Sequence, residues 1–135
     1  MKYSVFFRSL LTIVLLGFMT QTRAEEKKIV VLSDVHVMAK SLEGTEFWNT
    51  TVQNSRKIAE CSQPIFDQLV ETLKQQKPDL VLITGDLTEG GQLKSHEYVK
   101  DRFDELRAAG LKIFVIPGNH DLTGTVNFGE FYKDF

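Results

Sequence analysis

The chain has 135 residues, 42% hydrophobic and 25% charged, with a formal net charge of -2. That composition describes one globular domain and excludes both a two-domain protein and a disordered chain. A near-neutral balance with no dense Lys/Arg run carries no nucleic-acid-binding signature, and a single cysteine, Cys61, rules out an internal disulfide or a cysteine-rich metal site.

Residues 1–24 form a unit apart. Lys2 and Arg8 supply positive charge, residues 9–22 carry none, and the apolar core "LLTIVLLGFM" leads to Thr22-Arg23-Ala24. This is the pattern of a secretory signal peptide, cleaved between Ala24 and Glu25. The core is short against the roughly 20 apolar residues that a spanning helix needs, which leaves an uncleaved anchor as the second reading. The mature protein is expected to begin at Glu25 in an exported compartment, periplasmic or secreted, with no stable membrane span after cleavage.

Residues 25–135 follow as one domain unit. Residues 29–32 are a continuous apolar, β-branched run, read as a central strand buried on both faces. Residues 37–61 have no clean period and read as a long loop with one short helix near residues 54–60, long enough to wall a site. Phe47 and Trp48 in this loop read as packing residues, and Ser55-Arg56-Lys57 reads as a solvated charge cluster. Ser62-Gln63-Pro64 opens a helix whose apolar residues recur at helical spacing to Gln76, and Pro78 stops it. Residues 79–86, "DLVLITGD", are a second buried strand, followed by the loop "LTEGGQ". Ser95 is expected to cap the next helix and Gly110 to end it in a left-handed conformation. His96, near its start, reads as a solvated helix residue. Residues 111–116 are the third strand, and "NFGEFYKDF" starts another helix. Strand, helix, strand, helix, strand predicts a parallel α/β sheet with right-handed crossovers.

In such a sheet, ligands gather beyond the carboxyl ends of the strands. The first strand ends in Ser33-Asp34-Val35-His36, the second in Gly85-Asp86 and the third in Pro117-Gly118-Asn119-His120-Asp121. Each piece alone is weak, because Gly-Asp after a strand is often only a turn. Together, in register with three strands, they predict a metal site built from Asp34, His36, Asp86 and Asn119, with His120 and Asp121 beside it. Carboxylate oxygen, imidazole nitrogen and amide oxygen suit hard and borderline cations.

The series Asp34-x-His36, Gly85-Asp86 and Gly118-Asn119-His120-Asp121 closely resembles the calcineurin-like metallophosphoesterases, with the three N-terminal motifs intact and in order from Lys27 to Asp121. The resemblance implies a β-α-β-α-β half of a two-sheet α/β sandwich. It also implies a hydrolase of phosphate mono- or diesters using two divalent or trivalent ions such as Mn, Fe or Zn. Asp34 and His36 would hold the first ion, Asp86 would bridge both, and Asn119 would hold the second. His120 would sit beside the phosphate-ester substrate and protonate the leaving group, while Asp121 would orient His120. Members of the family complete their metal shells with later histidines. This chain has three histidines in all, His36, His96 and His120. The expectation is therefore an N-terminal portion that is inactive by itself. The competing reading is a non-catalytic, truncated or degenerate α/β fragment with weak or no metal binding.

Overall fold

The computed structural model describes residues 25–124 and 126–135. The expected leader, residues 1–24, lies outside the described residues. Among those described, no helix is long and apolar enough to cross a membrane.

Three strands, β1 (Ile29–Leu32), β2 (Leu80–Ile83) and β3 (Ile113–Val115), form a parallel sheet in the order β1-β2-β3. Ile29 pairs with Leu80 and Leu32 with Ile83; on the other side Val81 pairs with Ile113 and Ile83 with Val115. Helix α1 is Glu46–Asn54, α2 is Ser62–Gln76, α3 is Leu93–Ala108 and α4 is Phe128–Phe131. Helix α2 joins β1 to β2, and α3 joins β2 to β3. With strands in sequence order, right-handed crossovers put both helices on one face. Val81, Ile83 and Ile113 accordingly pack against Phe66, Val70 and Leu73 of α2 and Val99, Phe103 and Leu106 of α3. Each such fully buried apolar side chain stabilises the fold by roughly 1.5–3 kcal/mol.

The sequence expectation of strands buried on both faces is corrected here. Side chains alternate across a strand, and the face away from the helices is open. Ile29 is 55% exposed, Val31 61%, Phe114 58% and Ile116 58%. Strand β1 lies at an edge of the described sheet, and β2 is the central strand.

The segment 37–61 also differs from its reading as a loop. Its helix is Glu46–Asn54 rather than residues 54–60, capped by Thr45 Oγ1, which accepts from Trp48 N at 3.2 Å. Thr50, Thr51 and Val52 are β-branched and poor helix formers. Phe47, Trp48 and Val52 hold the helix by packing on Met38, Leu42 and Ala59, a small second core.

At the other end of α3, Gly110 behaves as expected. It lies at φ +88°, its N–H donates to Arg107 O (2.8 Å), and Leu111 N donates to Leu106 O (3.1 Å). These are the two bonds of a Schellman turn. The start of α3 is corrected: its N-cap is Gln92, and Ser95 lies inside the helix, where its Oγ accepts from Ala39 N at 3.1 Å.

Candidate metal centre

Parallel pairing continues past the ends of the strands. Asp34 N donates to Gly85 O (3.2 Å), His36 N to Asp86 O (2.9 Å), Val37 N to Leu87 O (2.8 Å), and Glu89 N to Val37 O (3.1 Å). Within this extension the backbone is kinked. Among the described residues, the non-glycine residues with positive φ are Asp34 (55°), His36 (45°), Asp86 (51°) and Lys77 (45°). Lys77 ends α2. The other three are sequence-predicted ligands. A left-handed L-residue costs about 1–2 kcal/mol, and such strain clusters where a site requires it.

The kinks bring the side chains together. His36 Nε2 lies 3.7 Å from Asp34 Oδ1 and 3.8 Å from Asp86 Oδ2. Two donors at about 2.1 Å from one ion stand roughly 3–3.5 Å apart, so this triad is close to a chelating spacing without an ion present. Ser33 Oγ hydrogen-bonds to Asp34. That bond first, and the charges of His36 and Lys57 after it, hold the Asp34 carboxyl below its ordinary pKa and keep it anionic. Asp86 Oδ1 accepts from His120 N at 2.9 Å, which leaves Oδ2 facing His36. Gly118 permits this approach. A Cβ there would meet Asp86 Oδ1 at 2.2 Å and Asp86 N at 2.4 Å. Asn119 precedes His120 on the same turn and is exposed.

Glu89 was missed by sequence reasoning, which placed it in an unassigned loop. Its carboxylate lies 3.0 Å from His36 Nδ1, and its backbone oxygen lies 2.6 Å from His120 Nδ1. Carboxylate and carbonyl oxygens only accept, so Nδ1 of each ring is a donor, and in the neutral tautomer the lone pair lies on Nε2. The two rings meet edge to face with centroids 4.6 Å apart. Two carboxylate–imidazole groups therefore share His36: Asp34–His36–Asp86, and His36–Glu89–His120. The first is the stronger candidate for a metal, because two carboxylates face the same Nε2. The second orients the rings, and Lys57 Nζ already neutralises Glu89 at 3.1 Å. The signal that could have found Glu89 is its position three residues beyond Asp86.

Asp121 is placed differently from its expected role. It is fully buried, and its carboxylate accepts from Leu87 N (3.1 Å), Thr88 N (2.8 Å), Thr88 Oγ1 (3.0 Å) and Gly118 N (2.9 Å). It clamps the exit of β2 to the exit of β3, and Glu89, not Asp121, orients His120. His96 is also corrected: it is buried rather than solvated. It reaches Tyr132 Oη at 3.0 Å and the Asp121 carbonyl at 3.3 Å.

A parallel α/β sheet with acidic and imidazole ligands gathered at the carboxyl ends of its strands is the architecture of a metal-binding α/β domain. The sequence model of the calcineurin-like phosphoesterase family matches residues 27–135, and the chain belongs to that family. It is 47% identical over 49 residues to a probable cyclic nucleotide phosphodiesterase of Synechococcus sp., a match covering 36% of this chain and 18% of that protein. It is 34% identical over 58 residues to a probable cyclic nucleotide phosphodiesterase of Moraxella catarrhalis, covering 43% and 20%. It is 33% identical over 58 residues to the uncharacterized metallophosphoesterase YhaO of Bacillus subtilis, covering 42% and 14%. The chain thus spans about a fifth or less of the length of the curated relatives it matches.

Proposed function

We propose that the centre is that of an exported, dinuclear metal-dependent phosphoesterase acting on phosphodiesters. The observation that carries this reading is the strained trio: Asp34, His36 and Asp86 all adopt left-handed backbone and converge around His36 Nε2. The diester preference is supported by two relatives described as probable cyclic nucleotide phosphodiesterases.

The donor set fits divalent ions. Asp34 and His36 would hold the first ion, Asp86 would contribute its carboxylate to both, and Asn119 would hold the second. When bound, the metals supply a hydroxide at neutral pH and stabilise charge on the phosphoryl oxygens. Glu89 engages Nδ1 of His36 and so leaves Nε2 facing Asp34 and Asp86. His120, oriented by the Glu89 carbonyl, presents Nε2 to the leaving-group oxygen; its imidazolium form, with protons on both nitrogens, passes the Nε2 proton to that oxygen. Asp121 takes no part in that transfer and holds the loops in register.

The test is metal analysis together with hydrolysis of bis(p-nitrophenyl) phosphate by the whole protein. Asp86→Asn should lose bound metal and activity together. His120→Ala should keep its metal while turnover drops by roughly 10²–10⁴, the usual scale for a proton donor. Equal metal depletion in the two variants would refute the division of roles. Export is supported by the charged start, the short apolar core and Thr22-Arg23-Ala24. Sequencing of exported protein should give Glu25 first, and intact Met1 in a membrane fraction would replace cleavage with an anchor.

A further inference from the structure

Beside Asp34 and His36 lies a cleft of about 440 Å³ whose other walls include Val35, Lys57, Ile58 and Ile65. Ile58 is 69% exposed and Ile65 66%. Single exposed aliphatic side chains need no explanation. These two come from different elements, the segment before α2 and the first turn of α2, and they line the same cleft as two candidate metal ligands.

Lys57 adds the charge. Its Nζ lies 3.0 Å from both His36 Nδ1 and His36 Nε2 and 3.1 Å from Glu89 Oε2. Equidistant from the two ring nitrogens, the ammonium lies in line with neither lone pair and leaves Nε2 to a metal. Its hydrogen bond goes to Glu89, and its remaining donors face the cleft.

We propose that this cleft receives the organic substituent of a monoanionic phosphodiester, and that the substituent is uncharged and apolar. Lys57 donates to a non-bridging phosphoryl oxygen while Ile58 and Ile65 form the platform for the substituent. This rests on the phosphoesterase reading and narrows its substrate class. Lys57 is the one cation among the lining residues and is shared with Glu89, while Asp34 adds a further negative charge on the same wall. No positive charge remains for a second phosphate, so the cleft selects against polyphosphorylated esters. Lys57 is thus a substrate-binding residue rather than part of a solvated charge cluster.

The experiment uses the whole metal-loaded protein and two monoanions whose one ester bond has only the poor leaving group methoxide, methyl phenylphosphonate and methyl methylphosphonate, which differ in a ring against a methyl group. Titration calorimetry should show the phenyl compound bound about tenfold tighter, the scale expected when an aromatic ring leaves water for an apolar wall. Replacing both isoleucines, Ile58→Ser with Ile65→Ser, should erase the preference and leave the methyl compound unchanged, because both side chains are exposed and the fold does not rest on them. Lys57→Met should weaken both probes alike. In chelator competition it should hold metal as tightly as the parent, since an ammonium has no lone pair to give a metal. Equal affinity for the two probes on metal-replete protein would overturn the cleft assignment alone, as would metal loss in Lys57→Met. A parent protein that takes up no metal would overturn the phosphoesterase reading, and this one with it.

Discussion

His96 donates from Nε2 to the Asp121 carbonyl and accepts at Nδ1 from the Tyr132 hydroxyl, inside a shell of Phe128, Phe131 and Tyr132. Burial lowers its pKa, and its contacts with Asp121 oppose the shift without cancelling it. Burial, with the nearby Asp121 charge second, likewise raises the pKa of Tyr132 and keeps the phenol neutral. For His96 the folded state resists protonation, so the unfolded state binds more protons once pH falls below about 6.5. The stabilisation is present above that pH and is lost as pH drops toward the folded value. Chemical denaturation of the parent should therefore lose more stability between about pH 6.5 and 5 than the same measurement on His96→Gln, which has nothing to titrate there. Parallel curves for the two proteins would remove His96 as the source. Because its partner is the carbonyl of the residue after His120, weakening this anchor also loosens the turn that carries the candidate proton donor.

Among the elements, the exits of β2 and β3 are held at a distance that only glycine permits. Gly85 sits at φ +108°, and a Cβ on it would meet Gly118 Cα at 2.8 Å. Gly118→Ala drives a methyl into the backbone and carboxylate of Asp86. It should cost about 1–3 kcal/mol, as overpacking does, and weaken metal binding because Asp86 must move. Gly129→Ala, in α4 with its nearest neighbour 3.8 Å away, is the control and should be neutral or slightly stabilising. Denaturation and metal titration of the two variants separate a general effect of alanine from the local clash. Sequence legibility varied between elements for physical reasons. Helices α2 and α3 carry strong apolar spacing, and the end of α3 is marked by Gly110. Helix α1 is short, and its β-branched residues Thr50, Thr51 and Val52 hide it, although its apolar side is as marked as that of α2; the Thr45 cap and contacts with Met38 and Leu42 select helix there.

On the scale of the whole molecule, the sheet presents Ile29, Val31, Phe114 and Ile116 on the face opposite α2 and α3. Soluble monomers rarely carry a contiguous apolar patch beyond a few hundred Å². A polypeptide of residues 25–135 should therefore self-associate through this face. Light scattering checks this, and Phe114→Glu should shift the population toward monomer by placing a charge in the patch. A sharp monomer for the parent polypeptide would mean that this face drives no association.

The amino-acid sequence by itself determined the three strands, the two long helices and the placement of Asp34, His36, Asp86, Asn119 and His120 at one sheet edge. Those features follow from local rules: β-branched runs, helical spacing, and the direction that parallel crossovers impose on strand ends. It did not determine which face of each strand is covered. Apolar residues on both sides of a strand read alike whether or not anything packs there. Tertiary structure alone decided that Glu89 engages Nδ1 of both imidazoles, that Lys57 pairs with Glu89 beside His36, that Asp121 clamps backbone N–H groups, and that His96 is buried. Each of these rests on contacts between groups up to 53 residues apart. Such contacts are created by the crossovers and by the left-handed kinks at Asp34, His36 and Asp86, and no local pattern encodes which distant atom comes to lie within 3 Å.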